Sequence, residues 1–156
     1  MNWNIEMVEY AMRLVQNCDR RASTPKALAK KGSEKGLQEA DMRALLDVLG
    51  QLPYIRIQTS PSGRLAGLEF ESCAQGVCGL KYRRMSPGYV QYFRDGKFLK
   101  ELSFSEYHDA ENRNMRAELE AYAKEHNMPF LDEYRDSVPV VVPFVLQKLV
   151  QHTANA

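Results

Sequence analysis

The chain has 156 residues, 44% of them hydrophobic and 26% charged, and its formal net charge is only +1. This composition is that of an ordinary globular domain with enough apolar material for a core. No run of about 18 apolar residues occurs, and the N-terminus lacks a secretory signal pattern, so we expect a cytoplasmic protein that does not bind a membrane.

Three helices are predicted before residue 54. The first spans residues 5–18, where apolar residues recur at three- and four-residue spacing. A short second helix, 25–31, begins after the capping pair Ser23-Thr24 with Pro25 at its first position. The third, 37–52, has an apolar side and ends near Gly50 and Pro53.

A series of strands is predicted next, because turn signals recur at short intervals. These signals are Ser-Pro-Ser-Gly, Ala-Gln-Gly-Val, Ser-Pro-Gly and Asp-Gly. Apolar and charged residues alternate between them, which is typical of strands with one covered face. The sequence therefore predicts a five-stranded antiparallel meander with strands near 54–59, 64–73, 78–84, 89–94 and 97–102.

The C-terminal third predicts one or two helices that pack on one face of this sheet. Ser103 and Glu106 have the capping-box spacing of a helix that ends near Asn127. The apolar tail contains Pro139 and Pro143, so we expect an extended piece followed by a last helix from about Pro143. The predicted fold is α+β in a single domain, 1–156, with a helical part (1–53), a sheet (54–102) and a helix and tail (103–156).

Catalytic, metal and cofactor motifs have weak support. Cys73 and Cys78 flank a turn, but Cys18 and the three histidines supply no second closely spaced pair for zinc, so we expect reduced thiols and no metal. His108 lies beside carboxylates, yet no nucleophile accompanies it, and no phosphate-binding glycine motif occurs. The sequence therefore predicts neither an enzyme nor a bound cofactor, and it leaves the oligomeric state undetermined.

Charge is distributed unevenly along the chain. Net charge is +1 over residues 1–53, +5 over 54–100 and −5 over 101–156. A basic surface between residues 20 and 100 is typical of a protein that binds a polyanion, whereas mutual neutralisation within the fold is the structural alternative. The candidate nucleic-acid-binding residues are Arg20, Arg21, Lys26, Lys30, Lys31, Arg56, Arg64, Lys81, Arg83 and Arg84.

Two routes to nucleic acid are open. Three helices followed by a hairpin, residues 54–70, is the order of a winged-helix DNA-binding domain. Two features count against it: the third helix carries three acidic residues and one basic residue, Arg43, and a wing needs two strands whereas five are predicted. The sheet offers the second route, because tyrosines and phenylalanines alternate with basic residues as in a stacking platform, an arrangement that strand packing also explains.

The expected function is that of a small non-enzymatic binding protein, a nucleic-acid-binding regulator. The alternative is an inhibitor, immunity factor or adaptor that binds a basic protein through the acidic helix 106–126, since complementary potentials steer such encounters.

Overall fold

A computed structural model of the chain describes residues 1–71, 80–85, 89–94, 96–103, 117, 120–131 and 136–154. The chain forms two compact units. The first comprises Met1–Glu71 together with Asp136–Ala156, and the second comprises Ser72–Arg135. The first unit thus takes in the predicted helical part, the first hairpin and the C-terminal segment. Folding of the whole chain as a single domain stays a prediction.

The first unit begins with helix α1, Ile5–Gln16. Asn4 caps it, because its side-chain oxygen accepts a hydrogen bond of 2.8 Å from the amide of Met7. The sequence predicts this helix through residue 18, but the chain tightens into a 3₁₀ turn at Asn17–Asp19. Such a turn is common at the end of an α-helix, where the last carbonyls lack partners.

Helix α2, Pro25–Lys31, has the predicted bounds. The hydroxyl of Thr24 accepts from the amide of Ala27 at 3.2 Å, and Pro25 occupies the first position, where its missing N–H costs nothing. Leu28 and Ala29 are buried. The helix ends at Gly32, whose amide donates to the carbonyl of Leu28.

Helix α3, Glu39–Gln51, follows a compact turn. Gly36 in this turn has a φ of 82°, a left-handed conformation that a glycine adopts without strain. The buried side of α3 carries Met42, Leu45, Val48 and Leu49, and it packs against α2. Helices α2 and α3 therefore form a helix–turn–helix pair.

A two-stranded antiparallel hairpin completes the N-terminal part of this unit. Strand β1, Ile55–Thr59, pairs with β2, Leu65–Phe70. Ser23, which precedes α2, forms an isolated antiparallel bridge to Leu65, with N–O distances of 2.9 and 2.8 Å. The hairpin is thus joined by backbone hydrogen bonds to the segment that leads into the helix–turn–helix pair.

The C-terminal helix α4, Ser137–Ala154, starts earlier than predicted and replaces the expected extended piece. Pro139 lies in its first turn, where amides have no intrahelical partner, so only Pro143 removes a hydrogen bond from the interior. Helix α4 packs against α1 and α3 of the first unit. Its apolar residues therefore close the core of the first unit.

That core consists of fully buried side chains from all three long helices. Each of the following has a relative exposure of at most 1%: Val8, Met12, Val15, Met42, Leu45, Val48, Leu49, Val138, Val141, Val142, Val145 and Leu149. Burial of an aliphatic side chain contributes about 1.5–3 kcal/mol, so this cluster provides the main stabilisation of the unit.

The second unit contains a three-stranded antiparallel sheet of β3, Leu80–Met85, β4, Tyr89–Arg94, and β5, Lys97–Ser103, in that order. The mixed helix and strand content agrees with an α+β fold, but the single five-stranded meander is wrong. The hairpin β1–β2 has only two antiparallel strands, and β3 to β5 belong to another sheet. The alternation of residues indicates strands, but it carries no information on which strands pair.

A helical segment also lies in the second unit, at residues 120–125. It ends as predicted near Asn127, which has a left-handed φ of 52°, and the amide of Met128 then donates to the carbonyl of Ala123 at 2.7 Å. Within the described ranges, no helix combines the length and apolarity needed to cross a bilayer.

Candidate nucleic-acid interface

An open cleft of about 630 Å³ lies in the first unit between α2 and the start of β2. We call it the basic cleft. Four of its lining residues are cationic and the others are small or carry a hydroxyl group; the full lining is Arg21, Ala22, Ser23, Thr24, Ala27, Lys30, Lys31 and Arg64. Among the described residues that line it there is no carboxylate and no aromatic ring.

Local structure explains why Arg21 and Arg64, which are far apart in the chain, meet here. The bridge between Ser23 and Leu65 places Arg64 beside the segment that carries Arg21. Residues three and four apart on a helix share a face, so the step from Ala27 to Lys30 and Lys31 brings both ammonium groups to the side of α2 that faces the cleft. The cleft therefore has cations on its helix side and on its hairpin side.

Three other arginines of the first unit have a carboxylate partner, whereas the cations of the basic cleft have none among the described residues. Arg13 pairs with Asp136, and Arg43 pairs with Glu39 at 3.0 Å. Arg56 pairs with Glu71. In the part of the chain that the structure describes, none of the four cleft cations forms an ion pair. Like charges that share a cleft repel one another, and an anion bound there relieves that repulsion.

The buried thiol of Cys18 does not neutralise the cleft. Burial raises the pKa of Cys18, while the charge of Lys31 opposes that rise. The sulfur atom lies 3.3 Å from the carbonyl of Leu14, to which the thiol donates. Cys18 is thus a neutral core residue at neutral pH and adds no negative charge near the cleft.

The predicted binding residues fall into three groups. Arg21, Lys30, Lys31 and Arg64 come together in the basic cleft. Arg20 and Lys26 are exposed but do not line it, and Arg56 is held by Glu71. Lys81, Arg83 and Arg84 lie on β3 in the second unit, where only their backbone is described. Their part in binding stays a prediction, as does the aromatic platform of that sheet.

Helix α3 presents less free negative charge than its sequence indicates. The carboxylate of Glu39 is paired with Arg43, and that of Asp41 accepts from the amide of Gln38 at 2.8 Å and lies 3.8 Å from the N-terminal ammonium group. Of the three carboxylates, only that of Asp47 is on an exposed residue and lacks a described partner. The carboxylates of α3 therefore repel a nearby phosphate backbone less than their number in the sequence indicates.

Sequence reasoning does not find the small and hydroxyl-bearing part of the lining. Ser23 and Thr24 indicate only a helix cap, and Ala22 and Ala27 carry no signal of their own. One sequence pattern could have indicated the cleft. Two arginines shortly precede the capping pair, and two lysines follow in the last turn of the capped helix.

Several other candidates lie outside the described residues. These are Cys73, Cys78, His108 and most of the acidic helix 106–126. Of that helix, Glu120 and Glu125 are described and exposed, with the cationic Lys124 between them.

Comparisons with known proteins provide no relative. No protein-family model, no curated protein and no solved structure matches the chain significantly.

Proposed function

We propose that this protein is a non-enzymatic nucleic-acid-binding protein that holds the phosphate backbone in the basic cleft. The observation that supports this most directly is the set of four cationic side chains without ion-pair partners in the described part of the chain, facing one cleft. Arginine and lysine supply most phosphate contacts in protein–nucleic acid complexes, and each contact releases condensed counterions.

The arrangement of elements also favours this function. Helices α1, α2 and α3 precede a hairpin, and the bridge of Ser23 to β2 ties that hairpin to the helix–turn–helix pair. This is the order of a winged-helix domain, in which the first helix of the pair crosses the backbone of the nucleic acid. The surplus of strands that counted against this interpretation belongs to the second unit.

The shape of the lining supports a backbone ligand. Ala22 and Ala27 are small, so a sugar–phosphate chain can approach closely, and Ser23 and Thr24 carry hydroxyl groups of the kind that contact phosphate oxygens. A cleft built from arginines, lysines and hydroxyl groups thus provides charge and hydrogen bonding together.

The test is a titration of the full chain against a duplex DNA of about 25 base pairs at several salt concentrations. Four phosphate contacts give a slope of about −3.6 in the plot of log affinity against log salt, which corresponds to a loss of roughly 100-fold between about 50 and about 200 mM. The double variant Lys30→Gln/Lys31→Gln should weaken binding and reduce the slope by about 2.

A charge-matched control separates the cleft from general electrostatics. Lys124 and Lys148 are exposed and lie outside the basic cleft, so Lys124→Gln/Lys148→Gln should leave the affinity nearly unchanged. Equal losses in the two double variants would contradict the proposal. If no nucleic acid binds at low salt, the alternative function is favoured, in which residues 106–126 bind a basic protein. That alternative predicts that a Glu120→Gln/Glu125→Gln variant associates more slowly with the basic protein.

A further inference from the structure

We infer that the ligand of the basic cleft is a double-stranded nucleic acid whose backbone is bound with little discrimination of base sequence. This inference rests on the proposed function and specifies its substrate class. It follows from two independent features, the chemistry of the cleft lining and the exposed face of α3.

The first feature concerns the number of strands. Proteins that bind single strands stack successive bases on aromatic side chains, and this stacking supplies much of their affinity. None of the described residues that line the basic cleft is aromatic; apart from its cations, the lining consists of Ala22, Ala27 and two hydroxyl-bearing residues. The lining therefore offers no aromatic side chain on which an unpaired base could stack. A duplex needs no such side chain, because its bases stay paired and stacked on one another.

The second feature concerns sequence readout. In a helix–turn–helix pair the second helix presents its side chains to base edges, and specific contacts come chiefly from arginine, lysine, asparagine and glutamine. Among the exposed residues of α3, Ala40 and Gly50 have no hydrogen-bonding side chain and Asp47 repels phosphate.

The remaining donors of that face are poorly placed to read bases. The guanidinium group of Arg43 is held 3.0 Å from the carboxylate of Glu39, one turn earlier on the same helix. Gln51 is exposed but is the last residue of the helix, about 16 Å along the axis from the N-terminal turn, where base contacts concentrate. The exposed N-cap residue Gln38 takes part in a capping box with Asp41. The N-terminal turn of α3 therefore presents no free bidentate donor of the kind that distinguishes one base pair from another.

The experiment compares three probes with the full chain at one low salt concentration: two duplex DNAs of unrelated sequence and one strand of the first duplex. The two duplexes should bind with affinities within about threefold of each other, and the single strand should bind at least about tenfold more weakly. The variant Lys30→Gln/Lys31→Gln should weaken both duplexes by the same factor, because a phosphate contact carries no sequence information.

Arg43 provides the decisive variant. Arg43→Ala should change the affinity for either duplex by less than about twofold, whereas a bidentate contact to guanine is worth about 1–3 kcal/mol, or roughly 5- to 150-fold. Selection from a random duplex library should yield no consensus. A consensus whose preference is lost in Arg43→Ala would overturn the absence of readout.

Binding of the single strand as tight as that of its duplex would overturn the inferred strandedness while leaving the proposed function intact. If no probe binds, the proposed function itself fails, and the inference fails with it.

Discussion

Gly32 lies at a tightly packed position in the turn between α2 and α3. A Cβ atom at this position would lie 2.4 Å from Cδ1 and 3.1 Å from Cβ of the buried Leu37. We expect Gly32→Ala to lower the free energy of unfolding by about 1–3 kcal/mol, since Leu37 must move within a packed turn. Urea unfolding followed by the fluorescence of Trp3, the single tryptophan of the chain, reports on this unit.

Gly50 is the matched control for that substitution. It lies in α3 with an ordinary backbone conformation, and a Cβ atom added there would meet nothing within 4 Å beyond its chain neighbours and the nearby backbone of the helix, so alanine fits without a clash. Gly50→Ala should raise the free energy of unfolding by about 0.5–1 kcal/mol, because alanine has the higher helix propensity. Equal destabilisation by the two substitutions would contradict the packing described for the turn.

Asp136 joins the two ends of the first unit. Its carboxylate accepts from Arg13 Nη1 at 3.2 Å and from the amide of Val138 at 3.2 Å, so it pairs with α1 and caps α4. The hydrogen bond from Arg13 is the main cause that lowers the pKa of Asp136. A lowered pKa means that the carboxylate stabilises the folded state above about pH 4 and loses this contribution as the pH falls through the folded-state value.

Two substitutions at Asp136 separate its charge from its cap. Asp136→Ala should cost about 1–2 kcal/mol at neutral pH, whereas Asp136→Asn keeps a good capping side chain and should cost less than about 1 kcal/mol. The difference between wild type and Asp136→Asn in urea unfolding should shrink as the pH is lowered from about 5 to about 3. A difference that grows on acidification would contradict the ion pair.

At the scale of elements, the apolar side of α4 completes the hydrophobic core of the first unit. Neighbouring residues on this helix have opposite environments, because Leu149 is 0% exposed and Val150 is 55% exposed. Leu149→Ala should therefore lower the free energy of unfolding by about 2–5 kcal/mol in the Trp3 assay. Val150→Ala should be neutral or slightly stabilising, by less than about 0.5 kcal/mol, since alanine is the better helix former. Similar effects at both positions would show that α4 does not pack as described.

The elements also show which parts of the fold are accessible from the sequence. Helix α2 has its predicted bounds because Thr24, Pro25 and Gly32 are local signals of its start and end. The start of α4 is not predicted correctly, because Pro143 has the local features of a helix start. The helix nevertheless continues through Pro143, because burial of its apolar face against α1 and α3 outweighs the loss of one backbone hydrogen bond. Tertiary contacts of this kind leave no local pattern.

The same distinction applies to strand pairing and to the site. Residue alternation indicates a strand but not its neighbour, so the separation of β1–β2 from β3–β5 could not be derived from it. The cations of the basic cleft are identified individually by charge, but their convergence depends on the long-range bridge between Ser23 and Leu65. A contact between residues this far apart in the chain is a property of the fold.

At the scale of the whole molecule, charge is almost balanced, with a formal net charge of +1 and an isoelectric point near 7.7. A protein that bound nucleic acid through its net charge would lose affinity as the pH rises past this point. The basic cleft predicts otherwise, because arginine and lysine side chains carry their charge well above neutral pH. None of the described residues that line it is a histidine.

We therefore expect the affinity for a duplex of about 25 base pairs to change by less than about threefold between about pH 6.5 and about pH 8.5 at constant ionic strength, although the net charge changes sign in this interval. Fluorescence anisotropy at fixed low salt measures this directly. The variant Lys30→Gln/Lys31→Gln should be weaker than wild type by the same factor at every pH in this interval. A steep fall in wild-type affinity above the isoelectric point would mean that long-range net charge, and not the local cluster of Arg21, Lys30, Lys31 and Arg64, holds the nucleic acid.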